Sequence, residues 1–195
     1  ADEIWKGAIK LRGKFKAKDY PSVILPMIMV RRIECVLIKK REEAEARLRK
    51  DKPSIKADEL IRRLKVEEKT WAFYNTTSWT LKSIRKEAAT QVEANFRDYL
   101  NGFSPNIAEI IDKFRYREMV TRMVEENRLA SIIQLVEEED LSPGRLSNLE
   151  MGYVYEHLLQ KFSQDDAKDT GEHFTPREII RIMVDLMEID FNPAT

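Results

Sequence analysis

An uninterrupted apolar stretch from Val23 to Val30 sets the first requirement that any fold of this chain has to meet. It lies inside the segment Y-P-S-V-I-L-P-M-I-M-V-R-R-I, residues 20–33, and a helix built from these residues is apolar on nearly every side. Such a helix has to be buried at the centre of a bundle. A membrane span is excluded, because the stretch is far shorter than the roughly 20 residues that a spanning helix needs.

The rest of the sequence predicts an all-α fold. Six Gly and seven Pro are present in 195 residues, and they fall between segments of helical periodicity. Two of these segments have an expected inward face, and their inward residues are Leu60, Ile61 and Leu64 in the first and Ile107, Ile110, Ile111 and Phe114 in the second. The expected helices lie near 57–68, 84–100, 115–126 and 128–137, with another starting at Ser104-Pro105.

A division of the chain is expected after residue 144. The acidic run Glu137 to Asp140 is followed by the turn Leu-Ser-Pro-Gly at 141–144. We therefore predict an N-terminal helical domain over 1–144 and the start of a second domain over 145–195. In the second part, a helix is expected over 148–162 and a polar loop over 163–170.

The second part contains a loop that runs into an amphipathic helix, T-G-E-H-F-T-P-R-E-I-I-R-I-M-V-D-L-M, residues 170–187. Thr175 suits an N-cap, Pro176 suits the first helical position, and Glu178 completes a capping box. The free N–H groups at such a helix start favour a carboxylate or a phosphate. On this pattern alone, an ordinary capped helix without a ligand is the commoner outcome.

Both segments resemble one family, the modification (M) subunits of type I restriction–modification systems, which are N6-adenine DNA methyltransferases. Residues 171–177, G-E-H-F-T-P-R, are similar to the family segment G-x-[FY]-[FY]-T-P-R, and residues 20–32 are similar to Y-x-x-V-I-L-P-[LM]-x-x-L-R-R. Residues 148–162 also resemble the helix that precedes the first segment. The resemblance implies a helical bundle followed by the first helices of a class I (Rossmann-like) methyltransferase domain.

The resemblance also implies a cofactor, S-adenosylmethionine, and places its methionine end at the loop. The implied cofactor-binding residues are Glu172, His173, Phe174, Thr175, Pro176 and Arg177. His173 stands where the family usually has an aromatic residue. The glycine-rich loop and the N-P-P-[FY] motif of such enzymes are both missing from the sequence, and Asn192-Pro193 lacks the second proline and the aromatic residue. We therefore expect no catalytic residue in these 195 residues, and no activity from them alone.

Charge is unevenly distributed along the chain. Residues 1–50 carry 14 Lys and Arg against 7 Asp and Glu, whereas residues 151–195 carry 4 against 9. A basic segment can contact phosphates, although a solvated helix face is the commoner reason for a charge cluster. From the resemblance we expect DNA, a specificity (S) subunit, a second M subunit and a restriction (R) subunit as partners. The DNA contacts predicted here are Lys10, Arg12, Lys14, Lys16, Arg31 and Arg32.

One alternative function remains open, a free-standing helical module that binds DNA or acts as an adaptor without catalysis. Two histidines and one cysteine give no pattern of metal ligands, so no metal is expected. Cys35 lies in an apolar run and is expected to be a buried packing residue. A single cysteine excludes internal disulfides and is typical of a cytoplasmic protein.

Overall fold

The computed structural model describes residue 15 and residues 19–170, with side chains as far as residue 162. This part of the chain folds into eight α-helices and contains no β-strand. An isolated antiparallel bridge joins Asn75 to Phe103. The prediction of an all-α fold is confirmed. The helices are α1 (Tyr20–Asp51), α2 (Ala57–Glu68), α3 (Leu81–Arg85), α4 (Ala89–Asn101), α5 (Pro105–Lys113), α6 (Tyr116–Glu125), α7 (Leu129–Glu137) and α8 (Asn148–Thr170).

Helix α1 is the centre of the bundle, as the apolar stretch predicts. Val23, Ile24 and Met27 are completely buried, and helices α6, α7 and α8 pack on the same helix. Pro26 lies inside α1 without ending it, and the helix runs for 32 residues. Pro53 follows its end closely, where a proline cannot continue a helix.

The second half of α1 is largely exposed and pairs with α2. Leu60 of α2 is buried, and the ion pairs Arg47–Glu67 and Lys52–Glu59 join the two helices along their length. The inward placement predicted for Ile61 is wrong, because this side chain is 52% exposed. Helix α2 packs chiefly on α1, so it buries a narrower stripe than the sequence period suggests.

Helices α3 and α4 pack on α7, and α5 packs on α6, so these three helices form an outer part of the bundle around the pair that contacts α1. The single helix predicted over 84–100 is wrong, since the chain forms α3 and α4 with a break at 86–88. In α5, Ile107 and Ile111 are buried as predicted. Ile110 and Phe114, which the sequence period places inward, are 36% and 44% exposed.

Helix α8 begins at Asn148 and extends to Thr170. The polar loop predicted over 163–170 is therefore wrong. That segment contains neither glycine nor proline, so nothing in its backbone propensity ends the helix that precedes it. Within the described residues, every helix is too short or too polar to cross a bilayer, and no cluster of side chains could hold a metal ion.

Candidate functional site

Some of the predicted site residues lie within the part of the chain that the structure describes, and others lie outside it. The cofactor segment, Glu172, His173, Phe174, Thr175, Pro176 and Arg177, lies outside the described residues, as do Lys10, Arg12, Lys14 and Lys16. Arg31 and Arg32 are described. The structure therefore shows what leads up to the predicted cofactor segment, namely helix α8 and its attachment to the bundle.

Helix α8 carries the chain to within two residues of the predicted cofactor segment. Its start is capped by Ser147, whose hydroxyl accepts from the N–H of Glu150 at 3.2 Å while the Glu150 carboxylate accepts from the N–H of Ser147 at 2.8 Å. This reciprocal pair is a capping box. Further along, Leu158 and Phe162 are buried, and the Phe162 ring lies 6.4 Å from that of Tyr20 on α1.

Arg31 holds the segment that directly follows helix α7. Its Nε donates to the carbonyl oxygen of Glu139 at 3.0 Å, and its Nη1 donates to Oε2 of Glu34 at 2.6 Å. The residues joined by the first bond are 108 positions apart in the sequence. The Arg31 side chain is 15% exposed, so most of the guanidinium is enclosed by the bundle.

Arg32 holds the segment between α7 and α8. Its Nη1 donates to the carbonyl oxygens of Leu141 at 2.6 Å and Leu146 at 3.0 Å. Its Nη2 donates to Oδ1 of Asn148, the first residue of α8, at 3.0 Å. One guanidinium thus joins α1 to both ends of a turn and to the helix that follows it.

Glu34 is a charged residue in the core, with 3% of its surface exposed. Its carboxylate accepts from Arg31 and, at 2.6 Å, from the backbone N–H of Leu81, the first residue of α3. Burial raises the pKa of the Glu34 carboxyl above its ordinary value, while the hydrogen bonds from Leu81 and Arg31 act in the opposite direction. The carboxylate therefore links α1 with the start of α3 and orients Arg31.

Leu141, in the segment that follows α7, is buried in the core, and so is Cys35 of α1. Burial raises the pKa of the Cys35 thiol, and the nearby Arg31 guanidinium acts in the opposite direction. Cys35 is buried, as the sequence predicts. The carboxylate of Asp140 accepts from the N–H of Ser142 at 3.0 Å, which closes the turn locally. The predicted division at residue 144 thus lies in a turn that is anchored to the bundle.

The bundle has two larger concave surfaces, one beside the turn and one at α2. An apolar groove of about 560 Å³ lies between α1 and α8 beside Arg32, and it is lined by Met29, Ile33, Met151, Tyr155 and Leu159, among others. A second cleft of about 690 Å³ lies between α2 and the loop that follows it. Its lining includes the cations Arg62, Lys65 and Lys69, whose side chains make no ion pair or hydrogen bond with other described residues.

Sequence reasoning missed the second cleft, the capping of α8 by Ser147 and the carbonyl contacts of Arg32. Arg62, Lys65 and Lys69 recur at helical spacing, which could have indicated a basic face of α2. The S-x-x-E pattern at Ser147 was a readable capping signal. No signal in the sequence connects Arg32 with carbonyl groups more than 100 residues away.

Comparison with known proteins gives consistent family matches. The model of the family described as "HsdM N-terminal domain" matches residues 1–136, and that described as "N-6 DNA Methylase" matches residues 147–194. The Type I restriction enzyme MjaIX methylase subunit of Methanocaldococcus jannaschii is 25% identical over 99% of this chain and 37% of its own length. The Type I restriction enzyme HindI methylase subunit of Haemophilus influenzae is 40% identical over 38 residues, which are 20% of this chain and 9% of its own length. No solved structure matches.

The extent and order of these matches establish the family. The first family model covers more than two thirds of the chain, and the second begins one residue before α8. The chain spans a little over a third of the length of the archaeal relative. The chain belongs to the HsdM N-terminal domain family and corresponds to the N-terminal part of a type I restriction–modification M subunit.

Proposed function

We propose that this chain is the N-terminal part of a DNA methyltransferase subunit that methylates adenine N6 with S-adenosylmethionine as the methyl donor. The observation that carries the proposal is the order of the two family matches, with an N-6 DNA Methylase segment starting at residue 147 directly after the helical domain. The two relatives, both named methylase subunits of type I restriction enzymes, support it. Because the glycine-rich and N-P-P-[FY] motifs are missing from the sequence, we expect methyl transfer to need the whole subunit.

We assign the methionine end of the cofactor to residues 172–177. A Thr hydroxyl and the free N–H groups of a helix start are donors that suit a carboxylate, and Thr175-Pro176 has the sequence of such a start. Glu172, His173, Phe174 and Arg177 complete the proposed pocket wall. S-adenosylmethionine supplies the activated methyl group, and the role of these residues is to hold and orient it.

Replacing Thr175 by alanine in the full-length subunit is expected to weaken S-adenosylmethionine binding about tenfold or more. The change removes a hydrogen bond to a charged group, which is worth roughly 1.5–3 kcal/mol. Titration calorimetry measures the affinity. The matched control is Thr121→Ala, since Thr121 lies on α6 and its hydroxyl contacts Arg97 and the carbonyl of Arg117. Unchanged affinity in Thr175→Ala would refute the assignment.

We also propose that the helical domain contacts DNA and that the subunit works with a specificity subunit, a second M subunit and a restriction subunit. The basic N-terminal quarter supports the first part, and Lys10, Arg12, Lys14 and Lys16 are its proposed contacts. The cations that line the α2 cleft add a second basic surface. A DNA contact by Arg31 or Arg32 stays a prediction, and it competes with the bonds that both guanidinium groups make within the chain.

Replacing Arg62, Lys65 and Lys69 together by alanine is expected to weaken DNA binding and to lower the salt dependence of the affinity. Removing one phosphate contact reduces the slope of log K against log salt by about 0.9. The control removes three charges that already have carboxylate partners, Arg47, Arg49 and Arg63. Anisotropy titrations of a DNA duplex over a salt series measure both variants. Equal slopes of log K against log salt in the two triple variants would mean that net charge, and not the α2 cleft, determines DNA binding.

A further inference from the structure

We propose that Arg32 is a positioning residue, which fixes helix α8 and hence the methyltransferase part at a set orientation on the helical bundle. The inference rests on the proposed function, because it assigns α8 to the path that leads to the cofactor segment. Arg31 assists by fixing the residues that directly follow α7. The residues that connect the two family matches are thereby held as a rigid joint.

The geometry of Arg32 matches this role. A guanidinium carries five donors in a planar fork, so it can satisfy several acceptors at fixed angles. Here Nη1 bonds the carbonyls of Leu141 and Leu146, and Nη2 bonds the side chain of Asn148. The two carbonyls lie at the two ends of the turn, and Asn148 opens α8. The turn therefore cannot open, and α8 cannot swing at its start, without breaking bonds to this group.

The preceding residues are held by the same stretch of α1. Arg31 bonds the carbonyl of Glu139, and Glu34 accepts from Arg31, so the guanidinium is held on both sides. Leu141, the next residue to be bonded along this segment, is itself buried in the core. Consecutive arginines on α1 thus fix positions 139, 141, 146 and 148 in order along the chain.

The length of α8 makes the joint important for the distant segment. Helix α8 has 23 residues, which corresponds to roughly 35 Å at 1.5 Å per residue. If its start is freed, α8 can rotate about Leu158 and Phe162, and a rotation of about 5° there would move its far end, roughly 12–18 Å away, by about 1–1.5 Å. Leu158 and Phe162 hold the middle of α8 on the bundle, and Arg32 holds the start. If the attachment at the start is lost, the contacts of Leu158 and Phe162 remain as a pivot. A misplacement of even 1 Å at a reacting centre can cost roughly a hundredfold in rate.

A DNA contact and a joint make different predictions for the same residue. The observed bonds of Arg32 go to two backbone carbonyls and an amide oxygen of this chain. A phosphate contact would need donors taken from those acceptors. Removing a phosphate contact raises the Kd for DNA and lowers its salt dependence. Removing a joint lowers kcat with both substrates saturating and loosens the segment 139–148.

The test compares Arg32→Ala and Arg32→Lys in the full-length subunit, assembled with its partner subunits. Arg97→Ala is the matched control. Arg97 is a partly buried arginine of α4, and it bonds the carboxylate of Glu93 and the hydroxyl of Thr121, away from the turn. Hydrogen exchange of the amides at 139–148 reports the joint without any activity. Steady-state methylation of a DNA duplex gives kcat and the KM values for DNA and S-adenosylmethionine.

The expected result for Arg32→Ala is exchange at 139–148 faster by tenfold or more and kcat lower by about tenfold or more, given the cost of misplacement. Its KM for DNA should stay within about twofold of the wild-type value. The exchange and kcat of Arg32→Lys should fall between those of the wild type and Arg32→Ala, because a lysine lacks the planar fork. Arg97→Ala should leave both the exchange at 139–148 and kcat near the wild-type values.

Two results would overturn the inference: unchanged exchange at 139–148 in Arg32→Ala, or faster exchange there with kcat unchanged. A raised KM for DNA with unchanged exchange would assign Arg32 to DNA instead. If the wild-type assembly transfers no methyl group, the proposed function fails, and the exchange data still decide the joint.

Discussion

Replacing Glu34 by alanine lowers the free energy of unfolding by about 3–5 kcal/mol, the cost expected when one partner of a buried ion pair is removed. The change leaves the enclosed Arg31 guanidinium without its carboxylate and the N–H of Leu81 without its acceptor. Urea unfolding followed by circular dichroism measures the loss. The matched control is Glu45→Ala on the same helix, because Glu45 pairs with Arg49 in solvent and such pairs contribute under about 1 kcal/mol.

The pH dependence of stability separates the effect of the Glu34 charge from the effect of its side-chain shape. Burial raises the pKa of Glu34 in the folded protein. The folded state therefore holds this proton more tightly than the unfolded chain does. Its contribution to stability is fully present below the unfolded pKa, about 4.3, and is lost as pH rises through the folded pKa. Glu34→Gln cannot titrate there, so the stability of wild type relative to Glu34→Gln should fall over that window. A difference that is constant with pH would contradict the shift.

Much of the helical framework could be predicted because the chain marks its helix ends clearly. Pro53 and Pro105 stand just after α1 and at the start of α5, and the limits predicted for α2, α6 and α7 agree with the structure to within about a residue. The break between α3 and α4 could not be predicted. Its residues, Lys-Glu-Ala at 86–88, form helices readily, so tertiary packing overrides local propensity there.

The environment of single side chains was less predictable than the helices that carry them. Glu34 sits in the run Ile-Glu-Cys-Val, and helical periodicity gives no means of telling a buried carboxylate from an exposed one. Its partners are the N–H of a residue 47 positions later and a neighbouring arginine. Arg31 and Arg32 were recognisable as cations at the end of an apolar stretch. Their carbonyl partners follow from tertiary structure alone.

Phe114 shows why an inward prediction can fail within a correctly predicted helix. The side chain continues the apolar period of Ile107 and Ile111, but α5 ends at Lys113. Arg115 then adopts a left-handed backbone conformation with φ of 51°. Phe114 itself keeps helical backbone angles and its N–H bonds the carbonyl of Ile110. The ring therefore lies one turn after Ile110 on the same half-exposed edge of α5, beside the buried row of Ile107 and Ile111.

Replacing Phe96 by alanine is expected to lower the free energy of unfolding by about 3–5 kcal/mol, whereas Phe114→Ala should cost under about 1 kcal/mol. Phe96 on α4 is fully enclosed and its ring lies 6.3 Å from that of Tyr99. Its replacement removes apolar contacts and leaves a cavity that close-packed helices cannot fill. Phe114 is 44% exposed, so its truncation removes less buried apolar surface and leaves no enclosed cavity.

The pair tests the placement of both rings in one measurement, since the substitution is identical and the difference reports burial. Urea unfolding of the two variants gives the two free energies, and equal slopes against urea show that the unfolded states are comparable. Similar losses in the two variants would mean that Phe114 packs in the core, as the sequence period suggested. A larger loss at Phe96 would instead support the half-exposed position of Phe114 at the C-terminal end of α5.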